Sequence, residues 1–513
     1  MISKSLKEIC AALTVRETRG DMNRSVCGIA YDSREVKPGF LFVAMGGLHT
    51  DGHKFIQDAV ARGAAAVVQA QQIVDAPAGV TCIRLDNPRA ALSPLAAAFF
   101  GHPSRSIRVI GVTGTDGKSS TVWFITQLLG FLGRKVGFLS TVSFQTSDAI
   151  VKNPFRQSTP EATEIHGMLR EMVDLGKEFA VVEATSHGLS PRMNRLADVC
   201  FDAGVLTNVT HEHLEFHGSF EQYRSDKANL FRSLSSAPDK TVECPRFGVV
   251  NADDPSAAYF RDAARVPVFS YGLGGIAGPG GTADLGARAV RADLSGTTFL
   301  VTHDGREAEA RVEIPGPFWV ENSLAACLTV ARLLEVDPLS LVPHIKNLKG
   351  VKGRMDYVKL GQPFAVVVDY AHTPGAFLKL LPWVRQHTSG KTIVVFGSAG
   401  ERDGAKRPLQ GRAASENCDT VVITDEDPRG EDRMAIIEKI AAGCVNKTRG
   451  TDLFLIPNRR EAILLALRRA APGDTVMLLG KGHEGSIIGP DGAAEWDERA
   501  EAEAGLRTLG YGR

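Results

Sequence analysis

The stretch from Ile107 to Leu132, IRVIGVTGTDGKSSTVWFITQLLGFL, decides the fold of the middle of the chain. An apolar run typical of a buried strand leads into a glycine-bearing turn, and an apolar helical pattern follows. Backbone N–H groups in such a turn converge on phosphate oxygens, while Lys118 supplies positive charge and the Ser119 hydroxyl can ligate magnesium. We therefore predict a site for nucleotide phosphates over the loop Gly114, Thr115, Asp116, Gly117, Lys118, Ser119 and Ser120.

One position of this stretch departs from the usual P-loop. Val112 stands where the pattern G-x-x-x-x-G-K-S has its first glycine. The ordinary interpretation is a tight turn between a strand and a helix with an incidental lysine. The preceding strand and the Gly-Lys-Ser string favour the phosphate site instead.

The regions on either side of this stretch alternate between strand and helix patterns. Strand candidates recur with spacings that leave room for crossover helices, which is typical of parallel sheets. They lie at 178–185, 202–209, 247–254, 364–371, 391–400, 419–429 and 474–484. The last four end in polar turns, and ligands collect at the carboxyl ends of parallel strands.

The length of 513 residues fits about three domains. We predict an α/β protein with a small α/β N-terminal domain, a central P-loop-type domain with a parallel sheet and a Rossmann-like C-terminal domain. The predicted bounds are 1–104, 105–349 and 350–513, and the central domain is expected to bind a nucleotide.

Composition excludes several classes of protein. Lys plus Arg and Asp plus Glu both number 59, so no net field attracts nucleic acid or a membrane surface. The eight cysteines form no Cys-x-x-Cys pair and are expected to be reduced thiols. Charged residues interrupt the apolar start of the chain, and there is no apolar run of about 18 residues, so we expect no membrane insertion. A cytoplasmic enzyme is the resulting expectation.

Two further side chains are candidates for the magnesium site. Glu183 lies where the strand EFAVVEAT ends, and His213 follows the next strand candidate in THEHLEFHG. A cation bound to a triphosphate takes more than one hard ligand, so both residues fit that role. A lone histidine is more often a capping or core residue, and we discount His187, His211 and His217 on that ground.

Two charged segments also have an ordinary interpretation. Lys227, in EQYRSDKANLF, lies on a predicted helix, where a lysine normally keeps its ammonium in water. Arg402, Asp403, Lys406 and Arg407 crowd the turn GERDGAKRP, which alone indicates a solvated loop. Because this turn follows a strand, we favour recognition of carboxylate or phosphate by its guanidinium groups.

An ordered set of short strings covers nearly the whole chain. They are DSREVKPGFLFVA (32–44), GTDGKSS (114–120), QSTP (157–160), EATSHGL (183–189), LTNVTHEHLEFHG (206–218), NADDP (251–255), GRMDYV (353–358), VDYAHTP (368–374), GERDGAKRP (400–408), DEDPR (425–429) and GKGHE (480–484). Together they resemble the Mur ligases of peptidoglycan synthesis, and most closely the MurE branch, which adds the third amino acid to UDP-N-acetylmuramoyl-L-alanyl-D-glutamate.

The resemblance implies the following roles. The first domain would hold the UDP part of the substrate, the central domain ATP, and the third domain the incoming amino acid. Ser33 would bind the uridine nucleotide, with Ser158, Thr159 and Thr185 beside the muramoyl peptide. Asn322, Arg354, Asp369, Tyr370 and His372 would complete the ATP site, and Arg402, Gly480 and Glu484 would belong to the amino-acid site. Lys227 would be carbamylated and hold a second magnesium ion, which reverses its ordinary interpretation.

The same resemblance implies a reaction. ATP and Mg²⁺ would convert the γ-carboxylate of D-glutamate into an acyl phosphate, and the amine of a diamino acid would then displace phosphate to form an amide. Lys118, Lys227 and His213 would be the catalytic side chains. We expect a monomer that excludes water from the site by domain closure.

The sequence departs from the family pattern in three respects. The family string Asp-Asn-Pro-Arg, which reads diaminopimelate, is here Glu426, Asp427, Pro428 and Arg429. Arg429 favours diaminopimelate, whereas the added acid at Asp427 favours the bare ammonium of lysine or ornithine. An intact Asp-Asn-Pro-Arg at 86–89 lies in the first domain, and we interpret it as a coincidence.

The third departure lies after Ser-His-Gly-Leu. The family's Gln and Arg are replaced there by Pro191 and Met193, so Arg192 or Arg195 is expected to hold the substrate.

Other functions make different demands on the sequence. A folylpolyglutamate synthetase or a MurF-type ligase would share the phosphate loop but lack the strings at 400–408, 425–429 and 480–484. A non-enzymatic Mur-like partner protein would be expected to have lost Lys118 or Lys227. A P-loop NTPase switch would turn over ATP without needing both a UDP substrate and an amino acid.

Overall fold

The computed structural model of the chain describes residues 2–47, 50–73, 77–155, 157–210, 214–273, 283–293 and 295–512. His213, a predicted magnesium ligand, lies outside these residues. The chain divides into two compact units. The first comprises the residues up to Val290 with Thr298–Arg311 and Phe318–Leu348, and the second comprises Arg291–Thr297, Val312–Pro317 and the residues from Lys349 onwards.

A five-stranded sheet forms the beginning of the first unit, with the strand order β2-β7-β6-β5-β4. Strands β4 to β7 are parallel to their neighbours, and β2 is antiparallel to β7. The elements are β1 (Lys4–Ser5), α1 (Leu6–Ile9), β2 (Glu17–Arg19), β3 (Ser25–Val26), β4 (Gly28–Ala30), β5 (Phe40–Val43), α2 (Ile56–Ala61), β6 (Ala66–Gln69), β7 (Thr81–Arg84) and α3 (Pro88–Phe99). The apolar runs of β5 and β6 are buried because helices cover the sheet.

The Asp-Asn-Pro-Arg string at 86–89 starts helix α3. The side chain of Asn87 accepts a hydrogen bond from the backbone N–H of Ala90, and Pro88 occupies the first turn, as is usual at a helix start. Asp86 pairs with Arg16 at 2.6 Å. These contacts account for the string as local structure of the first sheet, in agreement with its interpretation as a coincidence.

A larger sheet follows, with the strand order β11-β10-β9-β12-β8-β13-β14-β15-β16-β17-β18. Its elements are β8 (Arg108–Thr113), α4 (Lys118–Phe131), β9 (Val136–Leu139), β10 (Ser143–Gln145), β11 (Val151–Lys152), α5 (Ala162–Asp174), β12 (Phe179–Glu183), α6 (Ser186–Leu189), β13 (Ala203–Leu206), α7 (Leu214–His217), α8 (Phe220–Ser236), β14 (Phe247–Asn251), α9 (Ala257–Ala264), β15 (Val268–Gly272), β16 (Leu285–Asp293), β17 (Gly296–His303), β18 (Arg306–Val312), α10 (Phe318–Leu334) and α11 (Val342–Ile345).

The middle of this sheet is parallel, and its strand ends share one edge. Strands β9, β12, β8, β13, β14, β15 and β16 run parallel to one another, and β10 pairs antiparallel with β9. In this register Glu183 lies opposite Val112, and Leu206 lies opposite Thr113. The loops that follow β8, β12 and β13 therefore meet at the same edge.

The second unit contains a six-stranded sheet with the order β19-β20-β24-β21-β22-β23, parallel except at β19. Its elements are β19 (Asp356–Tyr357), β20 (Ala365–Asp369), α12 (Pro374–His387), β21 (Thr392–Phe396), α13 (Lys406–Asn417), β22 (Thr420–Ile423), α14 (Arg433–Ala441), β23 (Leu453–Leu455), α15 (Arg459–Arg469), β24 (Thr475–Leu479), β25 (Ser486–Gly489), β26 (Gly492–Glu495) and α16 (Glu498–Thr508). Strands β25 and β26 pair as a separate antiparallel hairpin.

A buried ion pair ties the strand ends of this unit together. Arg459 at the start of α15 pairs with Glu498 at the start of α16 at 2.6 Å, and both side chains are fully buried. The same guanidinium donates to the carbonyl oxygens of Asp425 and Leu479, which follow and end β22 and β24. Because every one of these groups is paired, the cost of burying the charge is offset.

The predicted strands all occur in the structure. Each candidate run contains one observed strand, from β12 within 178–185 to β24 within 474–484. The predicted α/β class with parallel sheets is therefore confirmed. The domain bounds after residues 104 and 349 stay predictions.

The cysteines and helices agree with the composition. All eight cysteines are free, and six of them are buried. Within the described ranges, no helix has both the length and the apolar character needed to cross a bilayer.

We predict that His166 lowers the free energy of unfolding at acidic pH. This α5 residue is fully buried, and neither ring nitrogen has a hydrogen-bond partner among the described residues. Burial lowers the pKa of His166 from 6.5 to about 3, so the unfolded chain binds a proton that the folded chain resists. The contribution of this residue to the free energy of unfolding is unchanged above pH 6.5. As the pH falls below that value, the contribution should become unfavourable by up to about 1.4 kcal/mol per pH unit.

Urea unfolding of wild type and of His166→Leu at a series of pH values tests this. The variant should lose less stability between pH 7 and pH 5 than wild type does. His344→Leu, at a half-buried helix position, is the control. Equal pH slopes for wild type and His166→Leu would contradict the prediction.

Candidate active site

The loop between β8 and α4 is shaped by two glycines with positive φ. Gly114 has φ 149°, and a Cβ there would lie 1.8 Å from the hydroxyl of Thr207. Gly117 has φ 81°, and a Cβ there would lie 2.6 Å from the amide oxygen of Asn322. Only glycine fits either position. The predicted role of Asn322 in the nucleotide site thus has a structural counterpart, since Asn322 packs against the loop.

The end of β13 holds the outer part of the same loop. The backbone N–H of Asp116 donates to the side chain of Asn208 at 2.9 Å, and its carbonyl accepts from Thr207 at 2.6 Å. The Thr115 hydroxyl lies 3.0 Å from that of Tyr223 on α8. The loop is thus fixed by neighbouring elements, as a preorganised phosphate site requires.

Two lysines donate to carbonyl oxygens of this loop. Lys118 Nζ donates to Thr115 at 2.7 Å, and Lys227 Nζ donates to Gly114 at 2.6 Å. Lys227 is only 1% exposed, and its ammonium lies 4.4 Å from the centre of the Tyr223 ring. The ordinary interpretation of Lys227 as a solvated lysine, which the family resemblance had already reversed, does not describe this side chain. The reason is its place on the buried face of α8, in line with Tyr223 and Leu230.

Glu183 closes the opposite side of the loop. Its carboxylate accepts from the Ser119 hydroxyl at 2.8 Å and from the backbone N–H and hydroxyl of Thr141 at 2.9 and 2.7 Å. A strand-end carboxylate bonded to the loop serine is the arrangement that holds magnesium in P-loop enzymes. The oxygen donors of Ser119 and Glu183 therefore fit a magnesium ion. The sequence analysis missed Thr141, which lacks a motif of its own.

The predicted substrate residues cluster beside Glu183. The hydroxyls of Thr159 and Thr185 lie 2.8 Å apart, and Thr159 also donates to the carbonyl of Glu183 at 3.2 Å. Ser158 is half-buried next to them. Ser33 lies in a short 3-10 turn, Ser33–Glu35, in the domain of the first sheet. It is far from this cluster in sequence.

The two arginines proposed to replace the family pair differ in position. Arg195 is buried, pairs with Glu161 at 3.0 Å and donates to the carbonyl of Thr159 at 3.0 Å. Glu161 is held on its other side by Arg89 at 2.8 Å. Arg192 is exposed and donates to the carbonyl of Phe216. This geometry favours Arg192 as the residue that can reach a substrate, with Arg195 supporting the Thr159 loop.

The second unit has its own cluster of predicted ATP-site residues. The guanidinium of Arg354 lies 4.4 Å from the centre of the Tyr370 ring, and the ring of His372 lies 4.7 Å from it. The Tyr370 hydroxyl contacts Glu484 at 3.3 Å. Asp369 accepts from the backbone N–H groups of Met355 and Ala371, so it fixes the loops on both sides of this cluster.

An acidic group lies at the ends of β22 and β24. Lys481 is buried and pairs with Asp427 at 2.8 Å and with Glu484 at 2.5 Å. Glu426 is 7% exposed, and its Oε2 has no hydrogen-bond partner among the described residues. Gly480 lies against that oxygen, since a Cβ there would be 3.1 Å away. The sequence analysis missed Lys481, although it stands inside the string GKGHE.

Three carboxylates face one ammonium in this group. Burial alone would lower the pKa of Lys481, but Glu484 and Asp427 outweigh it, and the pKa of Lys481 is raised. Burial raises the pKa of Glu484, and the charges of Asp427 and Glu426 add to the effect. The Lys481 shift comes from its carboxylate neighbours, whereas the Glu484 shift comes mainly from burial. Three carboxylates around one ammonium leave an excess of negative charge, which favours binding of a cationic group.

The two arginines of the charged turn at 400–408 differ in burial. Arg407 is buried and forms two hydrogen bonds with Glu431, at 2.9 and 3.1 Å, so it is not available to a ligand, contrary to the expectation from the sequence. Arg402 is exposed, and Arg429 is half-buried with φ 54°. Neither guanidinium has an ion-pair or hydrogen-bond partner among the described residues.

Comparison with known proteins identifies the family. Residues 25–100 match the model "Mur ligase family, catalytic domain", residues 112–330 the Mur ligase middle domain and residues 353–482 the "Mur ligase, glutamate ligase domain". The UDP-N-acetylmuramyl-tripeptide synthetase of Roseiflexus sp. (strain RS-1) is 50% identical over 96% of each chain. The chain belongs to the Mur ligase family. The predicted resemblance and the three-domain α/β architecture are confirmed.

Two further Mur ligases are similar over most of their length. The UDP-N-acetylmuramoyl-L-alanyl-D-glutamate–2,6-diaminopimelate ligase of Syntrophomonas wolfei is 36% identical, over 98% of this chain and 99% of the relative. A solved structure of an enzyme of that name matches with a TM-score of 0.66 and 27% identity, over 99% of this chain and 100% of that one. As a Mur ligase, the chain is an ATP-dependent ligase, which confirms the predicted enzyme class.

We predict that Lys118→Ala abolishes ATP-dependent phosphate release. Removing the ammonium takes away a positive charge that would face the phosphates of ATP at this loop. The loop itself should persist, because Thr207, Asn208 and Tyr223 hold it independently. Phosphate release should fall at least about 100-fold while the melting temperature changes by only a few degrees. Lys135→Ala, at an exposed lysine of the same sheet, is the control, and retained turnover in Lys118→Ala would contradict the loop's role.

Proposed function

We propose that this Mur ligase adds a diamino acid, as the third residue, to UDP-N-acetylmuramoyl-L-alanyl-D-glutamate, with diaminopimelate as the first candidate. The observation that carries this proposal is the convergence on one loop of Lys118, Lys227 and the Ser119–Glu183 pair. The relative from Roseiflexus, named a tripeptide synthetase, supports the position of the added residue.

The mechanism follows from the charges of the reactants. The γ-carboxylate of D-glutamate and the γ-phosphate of ATP repel one another, so positive charge has to surround the loop before phosphoryl transfer. Lys118 supplies part of that charge from the first turn of α4. The acyl phosphate is then attacked by the amine of the third residue, and phosphate leaves as the amide forms. Loops that exclude water protect the acyl phosphate from hydrolysis.

Magnesium would be held by Ser119 and Glu183, with His213 and a carbamylated Lys227 as further ligands. A bound magnesium ion supplies charge that stabilises the transferring phosphoryl group. Unmodified Lys227 is buried, donates to Gly114 and lies against Tyr223. Its neutral amine form is the one that can react with carbon dioxide. Attack of that amine on carbon dioxide forms an N–C bond and releases a proton, which leaves an anion able to bind the metal.

We predict a carbamate on Lys227. Wild-type protein exchanged into ¹³C-bicarbonate should give a carbamate ¹³C resonance, because the buried amine is shielded from bulk water. Lys227→Gln should lack the resonance and lose most ligase activity. Lys177→Gln removes another mostly buried lysine, paired with Asp148, and should keep the resonance. A wild-type spectrum without a carbamate signal would contradict this prediction.

Diaminopimelate is favoured by two arginines. It carries two carboxylates, and Arg402 and Arg429 are two guanidinium groups without a carboxylate partner among the described residues. Asp427, which by sequence alone favoured a bare ammonium, is paired with Lys481 and accepts the Ile488 N–H. Its charge is therefore mostly taken up within the protein.

Lysine or ornithine is the second candidate. Glu426 keeps a buried oxygen without a hydrogen bond, and the acidic group carries more negative than positive charge. Both features suit the terminal ammonium of a diamine, whether or not a carboxylate stands beside it. The name of the 50% identical relative specifies no third residue, whereas the name that specifies diaminopimelate belongs to a relative at 36%.

A product assay separates these candidates. Purified protein with ATP, magnesium and UDP-N-acetylmuramoyl-L-alanyl-D-glutamate is offered diaminopimelate, lysine and ornithine, separately and in competition, and product masses are measured. A tripeptide product formed only when all components are present supports the ligase. ATP turnover that needs no amino acid would indicate an NTPase switch and overturn the proposal.

We predict that Arg429→Ala discriminates between the amino acids. The Michaelis constant for diaminopimelate should rise about 10- to 100-fold, because a charge-assisted bond to its distal carboxylate is lost. The constant for ATP should change by less than about threefold. An equal loss for both substrates would remove Arg429 from the amino-acid site. If wild type uses lysine or ornithine in preference to diaminopimelate, and Arg429→Ala does so equally well, those diamines are the substrates.

The remaining expectations are the compartment and the assembly state. We propose a monomer in the cytoplasm, where the nucleotide-linked substrate and ATP are both available. Sedimentation at micromolar concentration tests the monomer.

A further inference from the structure

Three buried side chains outside the predicted ligand set form a continuous chain of hydrogen bonds. His217 Nδ1 lies 2.8 Å from an oxygen of Asp226, and His217 Nε2 lies 3.1 Å from the hydroxyl of Ser186. Ser186, His217 and Asp226 are 2%, 5% and 2% exposed. His217 had been discounted from the sequence as an ordinary core histidine, and neither Asp226 nor Ser186 had been assigned a role.

A further hydrogen bond of Asp226 indicates which groups donate and which accept along this chain of hydrogen bonds. Gln222 donates to the other carboxylate oxygen at 2.8 Å, so Asp226 acts as an acceptor throughout. A carboxylate at Nδ1 selects the tautomer that carries a proton there, and the neutral ring then accepts from Ser186 at Nε2. Each polar group thereby has a partner, which buried polar groups require.

The two ends of this chain of hydrogen bonds lie next to residues that contact opposite sides of the phosphate loop. Asp226 is the neighbour of Lys227 on α8, a helix that also presents Tyr223 to Thr115. Ser186 begins α6, three residues after Glu183, and follows directly on Thr185. His217, at the end of α7, therefore connects the helix that carries the lysine to the strand end that carries the carboxylate.

A change in the hydrogen bonds of His217 would shift Glu183 and Lys227, which contact the phosphate loop. Glu183 binds Ser119 on one side of the loop, while Lys227 binds Gly114 on the other. Misplacement of a reacting group by about 1 Å can cost a factor of 10² in rate. The hydroxyl of Ser186 is 2% exposed and bonded to His217, so we assign it a role in positioning.

We propose that Ser186, His217 and Asp226 form a positioning relay that fixes Glu183 and Lys227 relative to each other, so that it controls the rate of the phosphoryl-transfer step and not the affinity for substrates. The inference rests on the proposed ligase function, since Glu183 and Lys227 act through it. The three are positioning residues, because they act through Glu183 and Lys227 and are hydrogen-bonded to one another and to Gln222.

The central test is Asp226→Asn, which keeps the shape of the side chain but can donate to His217. The ring then carries its proton at Nε2, and Ser186 loses its acceptor. We expect kcat to fall about 10- to 100-fold, with Michaelis constants for ATP and the UDP substrate within about threefold of wild type. Ser186→Ala should show a similar loss, and the double variant should lose little more than either single variant, because all three remove one connection.

A matched control separates positioning from simple stability. Asp202 is equally buried, pairs with Lys240 and accepts the N–H of Val109 at the opposite edge of the same sheet. Asp202→Asn should lower the melting temperature but leave kcat per folded molecule within about threefold. His217→Gln is the second relay variant if Asp226→Asn does not fold.

Each outcome has a distinct meaning. A folded Asp226→Asn or Ser186→Ala with wild-type kcat overturns the relay, as does a loss confined to the Michaelis constants. Additive losses in the double variant also overturn it. Failure of wild-type protein to form a tripeptide product would refute the proposed function instead, and the two failures are thus distinguishable.

Discussion

The hydrogen bond from the buried ammonium of Lys227 to the carbonyl oxygen of Gly114 is the contact on which the arrangement of the site depends. It joins α8 to the turn that follows β8, at a place where the backbone has a positive φ and no room for a side chain. A buried cation without such an acceptor would be strongly unfavourable, so the helix and the loop are confined to one relative position. Thr115 and Tyr223 reinforce that position from the same helix.

Local signals made much of this architecture predictable. The alternation of short apolar runs with polar turns located the parallel strands, and the Gly-Lys-Ser string located the phosphate loop, because both patterns depend on neighbouring residues. Glu183 was found for the same reason, since it ends a strand. The assignment of the chain to the Mur ligases came from the order of many strings, and the comparisons confirm it.

Other features depend on contacts between distant parts of the chain. The residues alone suggested a solvated Lys227, and only the family resemblance reversed that interpretation. Its spacing with Tyr223 and Leu230 on the apolar stripe of α8 was the available local signal of burial. The pairing of Arg407 with Glu431 and of Lys481 with Asp427 joins segments that are far apart in sequence. Sequence alone therefore overestimated Arg407 as a ligand and overestimated the free charge of Asp427.

The buried pair between Arg459 and Glu498 has a consequence for truncated forms of the protein. Glu498 opens helix α16, so a truncation just before it removes the carboxylate that pairs with the fully buried guanidinium of Arg459. Such an uncompensated charge costs roughly 3–5 kcal/mol, a large share of the stability of an ordinary domain. The carbonyl groups of Asp425 and Leu479 would lose their anchor at the same time. A late truncation that spares every motif would thus act as a loss-of-function allele.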